Sequence, residues 1–241
     1  MKLAGSRPSA RRAGLTRALT TPSELTADPP YRCPLCPRLY AFLEEWRARE
    51  PDWYNGPVPT FVPRAGVEDV RLLIVGLAPG VRGANRTGRP FTGDYAGDLL
   101  YSTLIKYGFA KGVFEARPDD SLELIDAAIT NAVRCVPPEN KPEGAEVNTC
   151  RKNFLEPTIR RFPNLAAIVT LGTISHQATV RALGFPVKLL PFSHGGEHDA
   201  GNVRIFASYH CSRYNTNTGK LTTEMFENVF ASARKYLDRA V

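Results

Sequence analysis

A chain of 241 residues, 43% hydrophobic and carrying 12 Phe, 9 Tyr and 2 Trp, has enough to bury that whole-chain disorder is excluded. Its 31 Lys and Arg against 24 Asp and Glu leave +7, which suits a polyanionic partner such as nucleic acid or a phosphorylated substrate. No apolar run approaches the roughly 18 residues that span a bilayer and no secretory core follows the start, so the reading is a soluble, cytoplasmic protein without a membrane partner.

Five bases (Lys2, Arg7, Arg11, Arg12, Arg17) and no acid precede Glu24. Residues 1–25 therefore read as a flexible basic arm able to touch phosphates, with a transit peptide as the alternative. Residues 26–241 read as a single domain. It opens on a knuckle, Cys33-Pro-Leu-Cys36, after which Leu39, Phe42, Leu43 and Trp46 recur at helical spacing. A Pro-rich bridge (Pro51, Pro57, Pro59, Pro63) leads into Val70-Arg-Leu-Leu-Ile-Val-Gly76, a continuous apolar run of the kind a buried parallel strand requires. Ala127–Val133 and Leu165–Leu171 share that character, and Val203–Tyr209 alternates more. Between them the pattern predicts helices near 97–107, 145–161 and 174–183, with a last one over 222–239 that Thr222 or Thr223 can cap. Strands alternating with helices predict an α/β fold, a mostly parallel sheet covered on both faces. Ligands sit at the carboxyl ends of such strands.

The loop after the first strand holds Gly76, Gly80, Gly83, Gly88 and Gly93 within 18 residues, with Arg82, Arg86 and Arg89 interspersed. Glycines let a ligand approach the backbone and the arginines suit phosphate, although neither dinucleotide-binding nor Walker spacing is present. Asp94 closes the loop. It could position a water or steady a developing cation, or simply cap the helix starting around Ala96. Phe91 could stack on a base or belong to the core. Asn131 lies in a buried run, where an amide must find partners. Its paired donor and acceptor match a pyrimidine edge, and an internally satisfied Asn is the plain alternative. His210 stands at the end of the fourth strand, ahead of Ser212, Arg213, Tyr214 and Asn215.

Five cysteines, an odd number, argue against a disulfide framework. Cys33, Cys36, Cys135 and Cys150 form a C-x2-C…x98…C-x14-C set that suits tetrahedral zinc or a [4Fe–4S] cluster, with free buried thiols the remaining reading.

The loop Gly76-Leu-Ala-Pro-Gly80 through Asn85-Arg-Thr-Gly-Arg-Pro-Phe-Thr-Gly-Asp94 resembles the first signature of the family 5 (type B) uracil-DNA glycosylases. Asn131-Ala-Val-Arg-Cys135 and His210-x-Ser212-x-x-Asn215-Thr-x-Thr-Gly219 are similar to the later ones. The resemblance covers roughly residues 30 to 238. It implies a three-layer α/β/α sandwich on a four-stranded, mostly parallel sheet, with a [4Fe–4S] cluster on Cys33, Cys36, Cys135 and Cys150. The implied activity is monofunctional: uracil in DNA, with hypoxanthine or xanthine as further bases, is flipped out and hydrolysed from its sugar by a nucleoid-associated monomer.

By position, Asp94 matches the essential acidic residue, Gly80 the backbone wall that orders the water, and Phe91 the stacking aromatic. Asn131 matches the amide facing the base and His210 the histidine near the base carbonyl. Asn215 matches a further polar residue of the active-site loop. Arg213 or Tyr214 is the side chain expected to wedge into the duplex. Where the family usually has proline after the histidine, this chain has Cys211, which places an extra thiol near the site. A non-enzymatic, metal-stapled module that binds damaged DNA or nucleotides is the rival class.

Overall fold

The computed structural model describes residues 27–239, and the basic arm lies outside them. Four strands run parallel: β1 (Leu72–Gly76), β4 (Ala127–Asn131), β5 (Ala167–Leu171) and β7 (Val203–Ser208). Two short strands, β2 (Ala110–Lys111) and β3 (Glu123–Leu124), pair apart from them. The sheet order is β4-β1-β5-β7-β6, where β6 (Glu197–Ala200) adds an antiparallel edge. The main sheet thus holds the four parallel strands expected and a fifth. Charged residues alternate along that fifth strand, so it carries no apolar run for a sequence reading to find.

Helices cover both faces. In chain order they are α1 (Pro37–Arg49), α2 (Ala84–Thr87), α3 (Tyr95–Lys106), α4 (Gly144–Cys150), α5 (Glu156–Arg160), α6 (Thr173–Ala182), α7 (Arg213–Asn217) and α8 (Thr223–Arg239). Successive strand residues point to opposite faces. Leu72 and Ile74 accordingly meet Leu100 and Leu104 of α3 and Phe226 and Phe230 of α8. Leu73 and Val75 meet the other layer, which includes Leu155 and Ala178. Thr222 caps α8, its hydroxyl accepting from the Met225 amide at 3.1 Å. The helix expected over 145–161 is instead α4 and α5 joined by a π-helical turn at Arg151–Leu155, directly after Cys150.

A third, smaller core lies beyond the sheet. Leu39 and Leu43 of α1 pack on Val133, Val136 and Phe154, with Cys135 and Cys150 among them. The Pro-rich bridge closes the outer edge of β4, where Phe61 and Ile129 exchange backbone hydrogen bonds of 2.9 and 2.8 Å. The carboxyl ends of β1, β4, β5 and β7 all open to one side of the molecule.

Candidate active site

Register fixes the first pair of residues. Gly76 ends β1 opposite Asn131 at the end of β4. A β-carbon on Gly76 would stand 2.4 Å from Asn131 Oδ1 and 2.6 Å from Phe91 Cζ, so the missing side chain is what allows the amide and the ring to meet. Asn131 Oδ1 is buried and has no hydrogen-bond partner. An orphaned acceptor of this kind carries a desolvation cost that a ligand donor can relieve. Phe91 sits at φ +52, in the left-handed region, with its ring buried. Gly97 permits this, since a β-carbon there would lie 2.0 Å from the Phe91 carbonyl oxygen.

Asp94 occupies the N-cap position of α3 in extended conformation, yet its carboxylate makes no cap hydrogen bond. Its Oδ1 is buried without a partner. Burial raises the Asp94 pKa above its usual range, the Gly97 and Ala96 amides oppose that rise, and Asp98 adds to it. One carboxylate oxygen, partly desolvated and without a partner, is left free to meet a ligand.

His210 is half-buried at the mouth of β7, its ring stacked on Phe91 with centroids 5.9 Å apart. Burial lowers its pKa to about 4, so the imidazole is neutral at physiological pH. A cavity of about 450 Å³ joins Asp94 and His210, lined also by Leu77, Gly80, Tyr95, Asn140 and Arg213. The volume is that of a small-molecule site.

The expected residues separate into layers. Gly80, Asp94, His210 and Arg213 line the cavity, whereas Phe91 and Asn131 stand deeper and meet at Gly76. Asn215, expected against substrate, is not among the cavity's lining residues: its Nδ2 donates to the His210 carbonyl at 2.8 Å. Arg213 rests on the Tyr95 ring at 5.1 Å, while Tyr214 beside it is 74% exposed. Arg82 and Arg86 are exposed as a phosphate-facing loop requires. Arg89 is not. It is buried and grips Asp120 with two bonds of 2.7 Å, so it braces the loop from inside. An arginine with a well-placed internal carboxylate loses less by turning inward than its charge alone suggests.

Sequence reasoning missed Tyr95 and Asn140. Asn140 sits at φ +57, next to Glu139 at φ +54, on a loop that no periodicity marks. Missed too was Asn85, buried in the glycine-rich loop, whose Nδ2 donates to Asn55 Oδ1 at 2.8 Å.

Cys33, Cys36, Cys135 and Cys150 line one further cavity with the apolar walls Leu35, Leu39, Val133 and Phe154. Burial pushes the Cys150 thiol up to about 12, opposed by Arg134 and reinforced by Cys36 and Cys33. Burial also raises Cys135, reinforced by Cys150, Cys33 and Cys36 and opposed by Arg47. Four thiolates could coexist here only around a cationic centre, and the set fits such a group. The Arg134 amide already points at Cys150 Sγ, 3.3 Å away. Cys211 stands apart, buried, with its thiol donating to the Ala96 carbonyl at 3.5 Å.

Residues 63–234 match the family model for the uracil DNA glycosylase superfamily. The chain belongs to that superfamily. It is 42% identical over 210 residues to the type-5 uracil-DNA glycosylase of Thermus thermophilus, spanning 84% of this chain and 93% of that protein. It is 41% identical over 214 residues to that of Mycobacterium leprae, spanning 84% and 90%. With that of Pyrobaculum aerophilum the figures are 36% over 205 residues, spanning 83% and 87%. Within the superfamily these relatives are type-5 proteins. The glycine-rich loop, the Asn131 strand end and the His210 loop all fall inside the matched residues.

Proposed function

We propose that this protein is a monofunctional DNA glycosylase that removes uracil from DNA by hydrolysing the bond between base and sugar, the first step of base excision repair. The observation that carries this reading is that a partly buried Asp94, its Oδ1 without a partner, and a neutral His210 line one cavity. The names of the type-5 relatives support the substrate.

The target nucleotide must leave the helix, because its sugar–base bond is shielded inside the stack. Arg82, Arg86 and Arg213 hold phosphates around it, and the projecting Tyr214 fills the vacated space. In the pocket Phe91 supplies an apolar face, and stacking of this kind is worth about 1–3 kcal/mol per base. The Asn131 amide reads the base edge: Oδ1, which has no protein partner, accepts the ring imide N–H of uracil. As the bond lengthens, positive charge grows on the sugar and negative charge on the base. Asp94 faces the sugar and holds the attacking water beside the Gly80 backbone. A neutral His210 donates a ring N–H to the base carbonyl as it becomes an oxyanion. Groups acting in this way are each worth about 10²–10³ in rate.

Hypoxanthine and xanthine, which present an oxygen and an N–H in similar places, are further substrates of the same pocket. Cys33, Cys36, Cys135 and Cys150 hold a [4Fe–4S] cluster, which supplies a structural staple joining α1 to the end of β4 and to α4. That all four thiols border one cavity supports a shared metal centre here. The protein acts as a cytoplasmic, nucleoid-associated monomer. No helix among the described residues is long and apolar enough to cross a membrane.

The test is a labelled duplex with one U·G pair, incubated with the protein and then treated with mild alkali. Cleavage at the uracil alone, dependent on alkali, is the expected result. A duplex that is bound but left intact would instead identify a damage-recognition module. Iron and sulfide analysis of the purified protein, compared with Cys135→Ser, tests the cluster.

A further inference from the structure

We propose that His194 is a positioning residue for His210, ending the β7 ladder with its side chain and so fixing where the His210 ring stands in the pocket. The proposal rests on the glycosylase reading for its rate effects only.

Among the described residues the His210 imidazole makes no hydrogen bond, its one ring contact being the stack on Phe91. Its placement therefore depends on the backbone that carries it. On one side of β7 that backbone is held by β5, the Gly172 amide donating to the Ser208 carbonyl at 2.7 Å. On the other side the chain preceding β6 continues the ladder. Gly195 donates to the Ala207 carbonyl at 2.8 Å, and Ala207 donates to the Gly196 carbonyl at 2.9 Å. The next amide facing that way is Tyr209, two residues on. No backbone carbonyl meets it. His194 Nδ1 accepts it instead, at 3.1 Å.

The imidazole also lies flat on the Tyr209 ring, centroids 5.0 Å apart and planes within 13°. Tyr209 is thus held by its amide and by its ring, immediately before His210. Immediately after it, Asn215 Nδ2 grips the His210 carbonyl at 2.8 Å. The histidine is clasped from both ends, and the clasp on Tyr209 belongs to a loop with no direct share in the cavity lining.

Acceptance at Nδ1 requires that nitrogen to be unprotonated. Burial lowers the His194 pKa, with the Met225 carbonyl opposing, so the required neutral ring is the form present.

Two variants separate geometry from bulk. His194→Phe keeps a flat ring over Tyr209 and removes the acceptor, whereas His194→Asn places an amide oxygen close to where Nδ1 stood. With full-length protein and the U·G duplex under single-turnover conditions, His194→Phe should slow excision about 10- to 100-fold, the scale of a misplacement near 1 Å. Its Kd for DNA should stay that of the parent, and His194→Asn should recover most of the rate. In a His210→Ala background His194→Phe should cost nothing further, because the residue it positions is gone. A parental rate in His194→Phe, or an equal loss in the His210→Ala background, would overturn the proposal.

Nitrogen-15 imidazole resonances supply a readout that needs no turnover. His194 Nδ1 should report as unprotonated, and the His210 signals should move in His194→Phe and return in His194→Asn. Unmoved His210 signals would overturn the positioning role even if the wild-type protein released no base, an outcome that would count separately against the glycosylase reading.

Discussion

Gly83 lies so close to Asp94 that a β-carbon on it would stand 2.3 Å from Oδ2 and 2.9 Å from Cγ. No real β-carbon tolerates that separation, so the loop that starts at Gly80 must keep a glycine where the carboxylate passes. Gly83→Ala should leave the core intact, because the clash falls on the Asp94 side chain and not on a packed layer. The carboxylate would swing away from the cavity. We expect excision to fall by about 10²-fold, as for other misplacements of a reacting group. Single-turnover rates beside thermal melts measure both, and a parental rate would show that Asp94 need not stand where it does.

Asp94→Asn should separate activity from stability. Burial raises the Asp94 pKa above the ordinary carboxylate value, so the folded state holds its proton more tightly than the unfolded chain does. Between those two pKa values the folded state carries more bound protons, and stability falls as pH rises through that window. Above it the penalty is constant, and a neutral amide removes it. The variant should melt above the parent at neutral pH while losing about 10²–10³ of the excision rate. A lower melting temperature would mean that the carboxylate is a structural tie after all.

The strands with apolar runs were legible because a strand buried on both faces must be apolar along its length, as Leu72–Val75 and Ala167–Val169 are. Their carboxyl ends then pointed to Gly80, Asp94, Asn131 and His210. What the pattern could not yield were arrangements decided in three dimensions. Arg89 turns inward because Asp120, 31 residues away, is placed to receive it. Tyr95 and Asn140 reach the cavity from elements whose local sequence has no reason to face it. Edge strand β6 was missed because its Glu, His and Asp fit exposed backbone, and only pairing with β7 makes it a strand. That Arg213 lies over the Tyr95 ring while Tyr214 projects into solvent likewise depends on packing between separate elements.

Asp120→Ala should be a costly change outside the cavity. Its carboxylate is buried and takes both Arg89 nitrogens, while the Glu115 and Leu122 amides also donate to it, at 3.0 and 3.1 Å. Removing one partner of a buried pair strands the other charge, a loss of about 3–5 kcal/mol. Urea denaturation at neutral pH measures it. Burial pushes the Asp120 pKa up, but Arg89 and the two amides outweigh it and hold the pKa below the ordinary carboxylate value. The stabilisation is therefore present above that value and disappears as pH falls through the lower folded-state pKa. The difference between parent and variant should shrink in acid, and a pH-independent difference would locate the effect in packing alone.

The pH profile of excision should have an acid limb and no inflection near 6.5, the ordinary value for histidine. Burial takes His210 to about 4, so its neutral form persists down to strongly acidic solution. Asp94 acts as a carboxylate, and burial raises its pKa with Asp98 adding to the rise. Lowering pH therefore protonates Asp94, which removes the carboxylate the reaction needs. Asp98→Asn removes the neighbouring negative charge, which should move the acid limb to lower pH without changing the plateau. Single-turnover rates across the acidic and neutral range, for the parent and for Asp98→Asn, measure the limb directly. An inflection near 6.5 that disappears in His210→Asn would instead show that a protonated imidazole takes part, and that the departing base is stabilised by a full positive charge.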